Sequence, residues 1–232
     1  MADLIDHRFY GRRKGRRMRV RQKQDFNQLL PKFSFNLPES SRCNPKLFFS
    51  RPTKDIWLEI GFGYGEHLAV LAEYNPDIGF IGCEVFENGI GHLLSAIAEK
   101  NIENIRIFPQ PAQPLLQRLP DQSIGRIFLL FPDPWPKKRH ARRRFVQPET
   151  IELLGRILKD GGELRMASDD PGLITWITEH MMRSQDFRWL AGGADDWLTR
   201  PADWPLSRYE EKAINKGIQP VYWRFERLCR QK

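Results

Sequence analysis

Two short stretches of this sequence carry residue types whose spacing could do chemistry. The first reads Leu58-Glu59-Ile60-Gly61-Phe62-Gly63-Tyr64-Gly65-Glu66, with glycines at alternate positions and an acid two residues before the first of them. Glycine in such a turn lets the backbone bend tightly and approach a ligand closely. A dinucleotide site would show Gly-x-Gly-x-x-Gly and seat a pyrophosphate at the following helix N-terminus. Here Glu66 occupies that place, where its charge repels phosphate. The pattern suits a ligand with a cationic amino group and no phosphate, such as S-adenosylmethionine, and NAD is the competing reading. Glu84 ends the next apolar run, 23 residues after Gly61. A carboxylate at that place can accept hydrogen bonds from both hydroxyls of a ribose.

The second stretch is Phe131-Pro132-Asp133-Pro134-Trp135-Pro136-Lys137-Lys138-Arg139-His140-Ala141-Arg142-Arg143-Arg144. Three alternating prolines fix the backbone around Asp133 and Trp135, each setting its own φ and biasing its predecessor away from helix. Six Lys or Arg follow within residues 137–144 with no acid among them, a local positive patch suited to phosphates. Trp135 is either a stacking platform for a base or a cap on the core.

These stretches need a scaffold that brings them to one edge. Strands are expected at residues 56–60, 78–85, 105–108, 124–131, 163–167 and 221–228, the last a candidate for an antiparallel place at the far side of the sheet. Helices are expected at 68–74, through Leu93, Leu94 and Ile97, and at 115–119, 149–158 and 173–182. Gly161-Gly162 would stop the fourth of these helices. Residues 31–54, broken by Pro31, Pro38, Pro45 and Pro52, read as a connection, and residues 192–209 as an ordered loop that either closes over RNA or covers the sheet. Strands alternating with helices imply a doubly wound α/β fold whose crevice lies at the carboxyl ends of the strands. Both stretches then face the same crevice.

Charge narrows the partner. The 232 residues carry 37 Lys or Arg against 29 Asp or Glu, a net +8 that favours a polyanion. Residues 1–23 alone hold nine Lys or Arg against Asp3 and Asp6, so residues 1–30 are expected to form a basic mobile arm, with a single domain over 31–232. Cys43, Cys83 and Cys229 form no Cys-x-x-Cys pair, and the five histidines show no ligand spacing, so neither a disulfide framework nor a metal site is expected. No apolar run approaches the roughly 18 residues of a membrane span. A cytoplasmic protein is the expectation, with no membrane and no obligate protein partner.

From about Ile56 to Leu228 the chain resembles the bacterial tRNA (guanine-N7-)-methyltransferases, the TrmB family. The most specific element is Phe-Pro-Asp-Pro-Trp-Pro-Lys-Lys-Arg-His with its trailing arginines, supported by Leu-Glu-Ile-Gly-Phe-Gly-x-Gly, Gly-Cys-Glu-Val and Ala-Ser-Asp. The resemblance implies a Rossmann-like class I methyltransferase sheet, S-adenosylmethionine as cofactor, and transfer of its methyl group to N7 of guanosine 46 in the tRNA variable loop. It further implies that Glu59, Gly61, Gly63, Gly65, Glu84, Pro111, Ala112 and Asp133 line the cofactor pocket, with Asp133 the catalytic acid. Lys137, Asp169, Ser207, Arg208, Tyr209 and Glu210 would meet the RNA. Two departures stand out. Gln110-Pro111-Ala112 replaces the family's frequent Asp-Ala, removing a side-chain bond to the adenine amino group, and Ser207-x-x-Glu210 replaces Thr-x-x-Glu while keeping the hydroxyl.

Overall fold

A computed structural model describes residues 11–38 and 41–230. Among these, seven strands form one sheet: β1 (Asp55–Ile60), β2 (Ile78–Cys83), β3 (Ile105–Phe108), β4 (Ile124–Leu130), β5 (Leu158–Ser168), β6 (Phe187–Trp189) and β7 (Val221–Arg227). Their spatial order is β3-β2-β1-β4-β5-β7-β6. The first five run parallel, and β7 inserts antiparallel between β5 and β6. Strand order reverses between β1 and β4, so the loops after these two strands open onto the crevice of a doubly wound sheet. Phe187-Arg188-Trp189 is not evident as a strand in the sequence, because three residues are too short to show a period.

Eight helices among the described residues accompany the sheet: α1 (Val20–Phe33), α2 (Glu66–Tyr74), α3 (Glu87–Lys100), α4 (Ala112–Arg118), α5 (Pro148–Ile157), α6 (Pro171–Met182), α7 (Asp195–Leu198) and α8 (Arg208–Ile214). The central strands are apolar on both faces because both faces are covered. On one side Ile56, Leu58, Ile127 and Leu129 pack against Leu115, Leu154, Ile157 and Ile177. On the other, Phe80, Phe128 and Leu130 pack against Leu68, Leu93, Leu94 and Trp204.

Three expectations require correction. The boundary of the basic arm, expected at residue 30, falls inside α1. Phe26, Leu29, Leu30 and Phe33 seat this helix on the core, and Ser95 Oγ on α3 donates to Asp25 at 2.6 Å. Residues 11–19 run along the start of α3, where Asn88 Oδ1 accepts from Gly15 N–H and Asn88 Nδ2 donates to the Arg16 carbonyl. Arg8 and the rest of residues 1–10 lie outside the described residues. Pro31 does not break the helix, since it sits in the last turn and only two residues follow it. Nor does α5 stop at a glycine. Leu158 ends it in an extended conformation and begins β5 directly, while Gly161 (φ +75°) and Gly162 bulge from the strand, whose partners step from Ile124↔Leu158 to Arg126↔Glu163.

Candidate active site

The glycine loop leaves β1 with Gly61, Gly63 and Gly65 all at positive φ. Gly63 is held from below by the end of β2, because its N–H donates to Glu84 Oε2 at 2.8 Å. The other carboxylate oxygen of Glu84 accepts from Val85 and Phe86 N–H at 2.7 and 2.9 Å. Burial raises the Glu84 pKa above its ordinary range, these three N–H donors oppose the shift, and the charge of Asp133 adds to it. Asp133 and Glu84 line the same cleft. Partial burial likewise raises the Asp133 pKa. The Tyr209 hydroxyl is shifted upward by burial and then by the charges of Glu84, Tyr64, Asp133 and Glu66.

Asp133 projects from a loop that is both locked and strained. Phe131 N–H bonds the Ala167 carbonyl at 2.8 Å as β4 ends. Phe131 and Trp135 then adopt φ of +48° and +44°, a left-handed conformation uncommon for bulky side chains, and each directly precedes a proline. The sequence places these positions outside right-handed helix, but does not reveal that they turn left-handed. Trp135 has the edge of His140 at 5.8 Å and the Arg143 guanidinium 5.0 Å from its ring centroid. It belongs to neither core cluster and stands in the cleft wall.

One cleft of about 800 Å³ gathers Gly61, Gly63, Glu84, Pro111, Ala112, Asp133 and Tyr209 from the expected set. Gly11, Arg12, Gln113, Gln117, Arg142 and Arg143 join them, and sequence spacing does not assign the first four to it. Gly65 contributes indirectly as the left-handed N-cap of α2, where a Cβ would stand 2.8 Å from Leu93.

Other expected residues lie elsewhere. Glu59 is 2% exposed and points beneath α2, where its Oε2 meets His67 Nδ1 at 2.8 Å, so the structure does not bring it to the cleft wall. Lys137 is exposed at the start of a 3₁₀ turn (Lys138–Arg143), and Asp169 follows the end of β5. Arg208 lies over the Tyr64 ring at 4.6 Å. Ser207 is a helix N-cap, its hydroxyl accepting from Glu210 N–H at 3.2 Å. Glu210 is 1% exposed, with Oε1 accepting from Tyr222 Oη at 2.7 Å and pairing with Arg200 Nε at 3.0 Å. The Ser-x-x-Glu signature of a helix start is present in the sequence and points to this role.

Residues 192–209 divide between the two expected places: Trp204 covers the sheet, 1% exposed and packed on Phe128, His67 and Tyr222, while Tyr209 at the far end of the segment lines the cleft. Arg165, buried beside it, pairs with Glu163 and Asp203. Among the described residues no group of side chains could hold a metal ion, and no helix is long and apolar enough to cross a membrane.

The sequence of residues 53–222 matches a family model described as "Putative methyltransferase". A tRNA (guanine-N(7)-)-methyltransferase of Rhodospirillum rubrum is 48% identical over 228 residues, covering 97% of this chain and 89% of its own. One from Granulibacter bethesdensis is 44% identical, with 95% of each chain covered. The chain belongs to the tRNA (guanine-N7-)-methyltransferase family. Solved structures agree on the fold of this family member. An rRNA methylase from Streptococcus thermophilus superposes with a TM-score of 0.52 at 17% identity, covering 77% of this chain and 89% of its own. A SAM-dependent O-methyltransferase from Thermotoga maritima gives 0.50 at 15% identity, covering 84% and 69%.

Proposed function

We propose that this protein methylates N7 of guanosine 46 in the variable loop of tRNA, with S-adenosylmethionine as donor. The observation that carries the reading is the meeting of Asp133, Glu84 and the glycine loop in one cleft. The residues present fit the donor. Glu84 and Asp133 bring two carboxylates to the cleft beside the glycine loop, and Glu66 acts with them on Tyr209, which suits a cation there and opposes a pyrophosphate. A Cβ on Gly61 would meet no atom within 4 Å, so the wall beside this loop is open to a ligand. Glu84 would accept from the ribose hydroxyls, while Pro111, Ala112, Gln113 and Gln117 would surround the adenine. Pro111 leaves that subsite without a carboxylate, and the two glutamines supply amide donors and acceptors in its place.

When bound, S-adenosylmethionine supplies an electrophilic methyl group on a positively charged sulfur. Guanine N7 carries a free lone pair at neutral pH and needs no general base. Asp133 is therefore not there to remove a proton from N7. Its carboxylate orients the purine by accepting N–H bonds and stabilises the positive charge that the ring acquires. Holding the base in line supplies much of the remaining acceleration.

N7 lies on the major-groove edge, which is too deep and narrow to reach in A-form RNA, so the target must be exposed or drawn out. Trp135, which lines the cleft wall, would stack on it. Lys137, Lys138, Arg139 and Arg142, all exposed, would hold phosphates, and the basic N-terminal segment would add sequence-independent attraction. Asp169 and Arg208 would contact RNA at the rim, whereas Ser207 and Glu210 act by holding α8 in place. Glu59 would act on the cofactor loop only through His67. The enzyme would work on cytoplasmic tRNA without an obligate protein partner.

Methyl transfer from labelled donor to total tRNA, followed by borohydride and aniline scission, tests this reading. Cleavage at guanosine 46 is the expected result, and unlabelled tRNA or label that resists scission contradicts it. A calorimetric titration that detects S-adenosylhomocysteine and not NAD is expected beside it.

A further inference from the structure

Arg144 ends the basic run, yet its side chain turns inward. Its Nε donates to the Pro134 carbonyl at 3.0 Å and its Nη2 to the Trp135 carbonyl at 3.4 Å. The guanidinium carbon lies 4.8 Å from the centroid of the Trp176 ring on α6. Trp176 is itself fixed. Its indole N–H donates to the Val146 carbonyl at 2.7 Å, and its ring stacks on His180 at 4.0 Å, where Nδ1 of the histidine meets the Trp176 carbonyl at 2.8 Å.

The loop has few bonds of its own. Pro132, Pro134 and Pro136 bring no N–H, and Arg144 donates to two of the segment's carbonyls. Left-handed φ at Phe131 and Trp135 is a conformation that persists only when the surroundings impose it. Phe131 N–H anchors the near side on Ala167, and Arg144 grips the far side. Asp133 lies between the two anchors. A planar fork with one face on an indole matches this geometry, which a lysine cannot reproduce.

We propose that Arg144 is a positioning residue that fixes Asp133 in the cleft by clamping the proline loop onto α6, rather than a phosphate contact. This rests on the role proposed for Asp133 in methyl transfer. Arg144→Lys keeps the charge and removes the fork; Trp176→Leu keeps Arg144 and removes its support. Single-turnover methyl transfer is expected to fall about 10- to 100-fold in the first variant and less in the second. The Kd for S-adenosylhomocysteine stays within about twofold, and the salt slope of tRNA binding does not change. Adding guanidinium to Arg144→Ala is expected to restore part of the rate, and methylammonium is not.

Transfer rates within about twofold of the parent in both variants overturn the proposal, as does a loss confined to tRNA affinity with a reduced salt slope. Hydrogen exchange gives a readout that needs no tRNA: the Asp133 and Trp135 amides should exchange faster in Arg144→Lys, and unchanged exchange also overturns it. If the parent protein itself leaves tRNA unmethylated, the proposed function fails, while the exchange result still reports on the clamp.

Discussion

Two carboxylates at the head of the sheet have had their ordinary chemistry altered by burial. Glu84 holds its proton to higher pH in the folded chain than in the unfolded one, so between its ordinary range near roughly 4.3 and the raised value the native state binds the extra proton. Stability contributed by this group is therefore present at low pH and lost as pH rises through that window. Glu84→Gln should flatten this part of the curve of stability against pH in chemical denaturation, and an unchanged slope would exclude Glu84 as its source. Partial burial raises Asp133 too, so the acid limb of kcat against pH should lie above the roughly 3.9 of a free aspartate. An acid limb at or below that value contradicts an ionised Asp133 in a partly desolvated cleft. Glu59 shows what the sequence hid at this scale. β1 is buried on both faces, so alternation gave no direction for the side chain, and the carboxylate faces His67.

Single helices decide where the residues proposed to face the substrate stand. Ser207 caps α8 and thereby sets Arg208 on Tyr64 and Tyr209 on Gly63, where a Cβ would meet the tyrosine ring at 2.9 Å. Ser207→Ala should cost about 1 kcal/mol by denaturant titration, with a weakened grip on the donor as a local consequence. A stability unchanged within error would show that the cap is idle. At the other end of the chain, Phe26, Leu29, Leu30 and Phe33 have helical spacing, but they stand just beyond a dense run of cations whose self-repulsion argued for an arm. The stripe was readable and the charge obscured it. Removing residues 1–19 leaves α1 in place and takes away most of those cations. The slope of log K against log salt for tRNA should shrink by roughly 0.7 to 0.9 for each phosphate that is no longer neutralised, and an undiminished slope would place the RNA elsewhere.

The whole molecule is a sheet legible in its middle and hidden at its margins. β1, β2, β3 and β4 stood out as short apolar runs between turn residues, because parallel strands covered on both faces must be apolar throughout. β6 and the covering segment with Trp204 carry no periodicity, since the partners of Trp204, namely Phe128, His67 and Tyr222, are distant in sequence. Trp204→Ala should destabilise the protein by about 3 to 5 kcal/mol, and a loss below about 1 kcal/mol would mean that this segment is not part of the core. The same sheet edge brings together the cleft proposed for the donor and a proline-locked carboxylate, and the proposed methyl transfer depends on their meeting. Single-turnover methylation of tRNA by Asp133→Ala, measured beside its affinity for S-adenosylhomocysteine, tests that meeting most directly. The expected result is a rate lower by about two to four orders of magnitude with the affinity nearly unchanged; near-parental transfer would remove Asp133 from the chemistry and contradict the account.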